Sequence, residues 1–512
     1  MMGVQDSQQD LFCYSVDLDK RVRPDKPLRK ISELIDFSFV RQETKCFYGY
    51  NGNQSVDPVV IMKMMFLLFL DNVSSERELM RVIAERLDYM WFLGYGLNDE
   101  IPHHSVLSKA RSRWGVDVFE TLFARIVAQC QQAGLIEGKK LHVDGSLVDA
   151  HASNNAVLNG SPELIAQLRE QLQSEMSKLD EPAAERKESD CDRKNKQLLN
   201  TTDPDAAIVR KGVLASRARY KTHRAVDDAH GVITATETTS GDVEENAKLF
   251  DLVDQHEQNT QQKVETVIAD QQYGTADNFC KCQERGIRSH MGDISAAHQK
   301  KSCYADIFSS EDFKYQAESD CYICPAGQTL KRRKQRHSRM LYEYACSVKI
   351  CSVCALRQQC TRAREGRVRA IKRHYKQELV DAGRAQSRTQ AAQRDRRRRQ
   401  WLMEGSFANS ANNHGFKRSR WRRLWRQQIQ DYLIAAVQNV RILIRHCDLT
   451  PKTIRQMAQT AVCKVISAFL ARYAALIRNL AWTMSKNPRT GGFHNKITDY
   501  FSMDTFILCE GV

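Results

Sequence analysis

A mixed α/β fold, with a helical region ahead of it, is what the sequence predicts, and three observations carry that expectation. Leu141 to Ser153, LHVDGSLVDAHAS, reads as a buried strand with Asp144 at its centre. Val264 to Asp270 reads as a second buried strand, ending in an acid. From the first of these onward the order is strand, hairpin, helix, strand, helix, strand, and sheets of this class place ligands at strand ends. A carboxylate in a core strand is costly to bury unless it is paired. Its partner is an Arg or a backbone N–H in the plain case, and a divalent metal shared with other carboxylates in the functional one.

The helical region runs to about residue 138. Asp57-Pro58 supplies an N-cap and a first helical residue ahead of the apolar run Val59 to Leu70. Ser75-Glu76-Arg77-Glu78 has the capping-box form, and Leu79, Val82, Ile83, Leu87 and Met90 recur at helical spacing. A third helix is expected from Ser105, carrying Lys109, Arg111 and Arg113. Two helices and a basic third fit a helix-turn-helix arrangement that enters a major groove. An ordinary bundle with a basic polar face fits equally well. Val118 to Ala133 adds a helix that Gly134 closes.

Residues 139 to 446 form the second predicted unit. A polar insertion spans about 154 to 211, with an amphipathic helix from Ser161 and a charged stretch from Glu185 to Asn200. Arg219 to Ser240 reads as a hairpin around Asp227 to Gly231, and Asp242 to His256 as a helix. A helix over Asn278 to Arg285 and a strand at Ile287 to His290 follow Asp270. From about 292 to 394 the regular rhythm stops and cysteines cluster. Two CxxC pairs, Cys321/Cys324 and Cys351/Cys354, together with Cys346 and Cys360, have zinc-ribbon spacing. Six cysteines leave the choice of ligands open, with Cys324, Cys351, Cys354 and Cys360 the candidates for a structural Zn²⁺; buried or redox-active thiols are the alternative. Cys280 and Cys282 are incidental to their helix.

Lys+Arg number 77 against 62 Asp+Glu, giving a net charge of +15 and a pI of about 9.1, which argues for a polyanionic partner. The most basic region is Arg394 to Cys447, where arginines surround Trp421 and Trp425. Arg396, Arg399, Lys417, Arg418, Arg420, Trp421, Arg422 and Arg423 are the candidate contacts to a phosphate backbone. The N-terminus lacks a signal peptide's pattern, and the most apolar segment, 461 to 482, is broken by Lys464, Arg472 and Arg478. These features predict a soluble cytoplasmic protein with 16 reduced cysteines, no membrane association, and a helical C-terminal tail over 447 to 512.

Asp144 in LHVDGS, Asp270 in VIADQQYG and Glu404 in MEGSFANSANNHGFKR resemble the three acids of the DDE transposases encoded by bacterial insertion sequences. The resemblance extends over about residues 14 to 446, through TTDPDA at Thr201 to Ala206, YKTHRAVDDAHGVI, CPAG, CSVC and QIQDYLIAAVQNVRIL. It implies an RNase H-like core with Asp144 on the first strand, Asp270 at the end of the fourth and Glu404 on a helix after a large insertion. It also implies two Mg²⁺ or Mn²⁺ ions held by these acids, and double-stranded DNA as partner, at terminal inverted repeats and target. Cleavage and strand transfer by a homodimer, in a bacterial cytoplasm, complete the expectation. A catalytically inactive DNA-binding relic or repressor, or a nuclease without strand transfer, are the alternatives. One departure bears on them: the family often has Lys seven residues after the Glu, where this chain has Ala411, and Lys417 or a neighbouring Arg is left to take that role.

Overall fold

The computed structural model describes residues 17–49, 54–179, 196–210, 212, 215–294, 306–337, 340–364 and 366–447. Most of the charged stretch after Glu185, the segment 461 to 482 and the C-terminal tail therefore lie outside the described residues. The helical region holds α1 (Leu18–Arg21), α2 (Pro27–Leu34), α3 (Phe39–Thr44), α4 (Pro58–Leu70), α5 (Glu76–Glu85), α6 (Leu87–Leu93), α7 (Ser105–Trp114) and α8 (Asp117–Gln132). The sequence signals act as expected: Asp57 accepts the Val59 N–H at 2.9 Å, and Ser75 Oγ accepts the Glu78 N–H at 3.1 Å. α4, apolar on nearly every side, is the hub against which α3, α5, α6 and α7 pack.

The main sheet contains β1 (Lys140–Asp149), β4 (Ala207–Val209), β5 (Arg217–Asp227), β6 (Ile233–Ser240), β7 (Thr266–Ala269) and β8 (Arg288–Met291). Across it the order is β6-β5-β1-β7-β8, with β4 also pairing β5. β1 runs antiparallel to β5 and parallel to β7, which runs parallel to β8. This is the RNase H-like arrangement, with β7 as its fourth strand. One face is covered by α10 (Leu249–Thr260) and α11 (Ala276–Glu284), whose Leu252, Val253 and Phe279 bury Leu141, Val143 and Val267. The helix expected from Asp242 starts only at Leu249, because Glu245–Lys248 forms a 3-10 turn first. The polar insertion carries the hairpin of β2 (Val157–Asn159) with β3 (Leu198–Asn200), and α9 (Pro162–Leu179).

The cysteine segment is more regular than the sequence indicated. β9 (Lys314–Gln316), β10 (Cys321–Ile323), β11 (Thr329–Arg336), β12 (Leu341–Ala345) and β13 (Ala370–His374) form an antiparallel sheet in the order β13-β12-β11-β10-β9. Its core is mostly aromatic: Phe313, Tyr322 and Tyr344 pack with Leu330 and Ile371. Short helices α12 (Val348–Ser352) and α13 (Arg357–Cys360) lie between β12 and β13.

α14 (Gln377–Ser387), α15 (Gln390–His414) and α16 (Leu424–Cys447) complete the described fold. The last two are tied to β5 by Arg224, whose guanidinium donates to Asp431 at 2.6 Å, Ser410 at 2.7 Å and Gln438 at 3.0 Å. Both members of the Arg224–Asp431 pair are fully buried.

Candidate metal centre and nucleic-acid interface

Period-two alternation along β1 puts His142, Asp144 and Ser146 on one face, the face that α15 crosses. α15 meets that row in register. Asp395 accepts from Lys140 at 3.2 Å, Arg398 pairs with Asp228 beside His142, and Arg399 reaches Asp144 at 2.7 Å. Asp144 also accepts its neighbour's N–H, from Gly145, at 2.8 Å. β7 delivers Asp270 one residue beyond its end, where the carboxylate caps the turn Gln271–Tyr273 through the Gln272 N–H at 2.7 Å. Gly274 closes that turn because a Cβ there would stand 1.7 Å from the Gly292 carbonyl oxygen.

The third acid is Glu245, from the 3-10 turn before α10. Ligand oxygens of Asp144, Glu245 and Asp270 all lie within 4.8 Å of one another. Glycine at 145 leaves room for this approach: a Cβ there would lie 2.9 Å from the Glu245 carboxyl carbon, and that side chain would have to shift. Burial raises the pKa of Asp144, with Arg399 opposing that shift and Asp270 adding to it. Burial likewise raises Glu245, against the pull of Lys221 at 3.5 Å and with the push of Asp270 and Asp144. Three carboxylates crowded in this way are a hard oxygen donor set, suited to Mg²⁺ or Mn²⁺.

Of the three expected acids, Asp144 and Asp270 lie in the group and Glu404 lies outside it. The reason is helical phase. Five residues separate Glu404 from Arg399, a rotation of about 140°, so with Arg399 facing β1 Glu404 is exposed. Glu245 escaped sequence reading because the segment Asp242 to His256 looked like a plain helix; the one available signal was Gly145 beside an acid. Asp149, on the opposite face of β1, pairs with Arg217 and Arg219, and Asp227 caps its own hairpin through the Gly138 and Ala229 N–H groups.

The candidate DNA contacts divide by exposure. Lys109, Lys417, Arg418 and Arg422 are exposed, and Arg113, Arg396 and Arg399 partly so. Lys417 donates to Ser146 Oγ at 2.7 Å, two residues along β1 from Asp144. Arg111, expected on a groove-entering helix, and Arg423, expected at the phosphate backbone, are both buried. Arg111 lies 2.5 Å from Glu76 and 3.8 Å over the Trp421 ring; Arg423 pairs with Asp205 at 3.1 Å. Arg420 and Trp421 also point inward: Arg420 donates to Asn72 and the Val73 carbonyl, and Trp421 to Glu76. A lone stretch of sequence could not separate these arginines, because their partners come from the N-terminal helices. Unforeseen cations lie on β11, where Lys331, Arg332, Arg333, Lys334 and Arg336 are all exposed.

Against known families, residues 16–113 match the model of a transposase domain (DUF772), and residues 323–444 match that of a transposase DDE domain. No curated protein matches the chain significantly. Together the two matched domains indicate a transposase, the second of them of the DDE type. Among the described residues, no helix is long and apolar enough to cross a membrane.

Proposed function

We propose that the chain binds the terminal inverted repeats of an insertion sequence and catalyses divalent-metal-dependent cleavage and strand transfer of their DNA. The observation that carries this reading is the convergence of Asp144, midway along β1, Asp270, just past the end of β7, and Glu245 on one site. Asp144 and Asp270 would hold the cations and Glu245 would complete the set; Glu404 is the fourth candidate, by resemblance. When bound, Mg²⁺ or Mn²⁺ supplies charge stabilisation to an in-line phosphoryl displacement and activates the attacking oxygen. Lys417, beside Ser146, is positioned to hold a phosphate next to that site. Exposed Lys109, Arg418, Arg422 and the β11 cations would bind backbone phosphates irrespective of sequence.

The test is Mg²⁺- or Mn²⁺-dependent cleavage of a DNA duplex carrying the element's end, followed by strand transfer from a precut end. Asp144→Asn and Asp270→Asn are expected to lower cleavage by about 10²–10³-fold, of the order seen for key electrostatic groups, with DNA binding kept. Glu245→Gln and Glu404→Gln, assayed side by side, identify the third ligand by which of them loses cleavage. Retained cleavage in Asp144→Asn removes the proposed site. An inactive DNA-binding copy is the competing reading, favoured by the exposure of Glu404 outside the acid group; DNA binding by the wild type with no cleavage in either metal would establish it.

A further inference from the structure

The cysteines of the five-stranded sheet form a second cluster, separate from the acids. Cys324, Cys346, Cys351, Cys354 and Cys360 line one cavity of about 40 Å³. Cys321 is not among them. It alternates with Tyr322 on β10, so it lies on the opposite face of the sheet, where its sulfur contacts Ser319 Oγ at 3.0 Å. The pair Cys321/Cys324 is therefore not a chelating pair, whatever its spacing. Cys324 sits in a tight turn: its carbonyl accepts the Gly327 N–H at 2.8 Å, and its sulfur accepts the Gln328 N–H at 3.3 Å. An N–H donated to sulfur favours the thiolate. Gly327 takes φ +74°, which suits glycine alone without strain.

Facing that turn, Cys351 and Cys354 bracket the end of α12, and Cys360 ends α13. Two arginines lie in the same wall. Arg369 donates to the Cys360 carbonyl at 2.8 Å and Arg357 to that of Cys351 at 3.4 Å. Four thiolates around a divalent ion carry a net charge of −2, and these guanidiniums are placed to offset it. Cys346 is the most buried of the five and packs among Phe313, Tyr322 and Tyr344 as part of the aromatic core.

We propose that Cys324, Cys351, Cys354 and Cys360 bind one structural Zn²⁺, which clamps the β10–β11 turn to α12 and α13, with Cys346 as a core thiol behind the site. The thiols ring their cavity more loosely than the carboxylates surround theirs. Zinc binding would require the four sulfurs to be drawn in to about 2.3 Å from the ion. Four cysteine ligands would fill the coordination of a structural zinc and leave no position for substrate, so the site's role would be to hold the sheet together. It does not depend on the acid site, and Asp144→Asn leaves it loaded.

The test is the metal content of the full-length chain purified without added zinc. One equivalent of zinc per chain is expected, retained in Asp144→Asn and in Cys321→Ser. The Co²⁺-exchanged chain should show the thiolate-to-metal charge transfer and intense d–d bands of tetrahedral sulfur coordination. Cys324→Ser and Cys354→Ser should each lose the zinc, and Cys346→Ser should keep it. Because a serine variant can lose metal by unfolding, the Co²⁺ spectrum of the wild type stands as an independent reading. Less than a tenth of an equivalent of zinc with all thiols open to titration, a disulfide among these four cysteines, or octahedral oxygen-type Co²⁺ bands would each overturn the proposal.

Discussion

Asp144 and Glu245 are carboxyl groups that burial holds above their ordinary range, and the sign of that shift sets how the site responds to pH. A carboxyl group whose folded pKa is raised binds a proton more tightly in the native chain than in the unfolded one. In the metal-free protein, stability from these two groups is thus fully present below the ordinary carboxylate pKa, roughly 4, and is lost as pH rises through the raised values. A cation reverses the preference by favouring the charged forms. Mn²⁺ affinity, measured by titration calorimetry, is therefore expected to fall as pH drops from neutral, with a midpoint above that of a free carboxylate. Asp144→Asn should flatten the profile and raise metal-free stability near neutral pH. A midpoint at about 4 in the wild type would rule out the crowded carboxylates as the ligands.

At the scale of elements, β11 offers the clearest test of DNA binding outside the acid site. Its sequence, TLKRRKQR, buries only Leu330. Reversing Lys331, Arg333 and Lys334 to Glu is expected to weaken binding to any duplex and to reduce the salt dependence by up to about 0.9 for each phosphate that is no longer neutralised. Binding curves that superimpose on the wild type at every salt concentration would show that this strand faces away from DNA. The same strand explains why the sequence was only partly legible. β1 and β7 declare themselves through Val143, Val148, Val267 and Ile268, whereas β11 has no apolar alternation, and its sheet is assembled by tyrosines from β10 and β12. Capping signals such as Asp57 and Ser75 act over a few residues and were readable. Glu245 and the inward course of Arg111, Arg420 and Trp421 depend on partners far along the chain, which periodicity cannot supply. The class of fold and two of the acids needed only local pattern and motif.

For the molecule as a whole, the join between sheet and C-terminal helices rests on the buried Arg224–Asp431 pair. Removing one partner leaves an uncompensated buried charge, so Arg224→Ala is expected to lower unfolding free energy by about 3–5 kcal/mol, read by urea denaturation. Arg224→Met with Asp431→Leu should recover most of that loss; a single variant as stable as the wild type would show the pair to be dispensable. The N-terminal helices join the same block, since His414 meets the Phe69 carbonyl at 2.7 Å and Arg441 that of Leu70 at 2.5 Å. The ion pair between Arg399 and Asp144 then has a reach beyond its two residues. One carboxylate oxygen cannot serve a guanidinium and a metal ion fully at once, so a cation entering the site competes with a group fixed to a 25-residue helix. A DNA phosphate that draws Arg399 away removes the competitor, and whatever factor DNA thereby adds to metal affinity, metal must add to DNA affinity. Substrate and cofactor would in that way arrive as cooperative ligands, with Arg399 as the residue through which each registers the other.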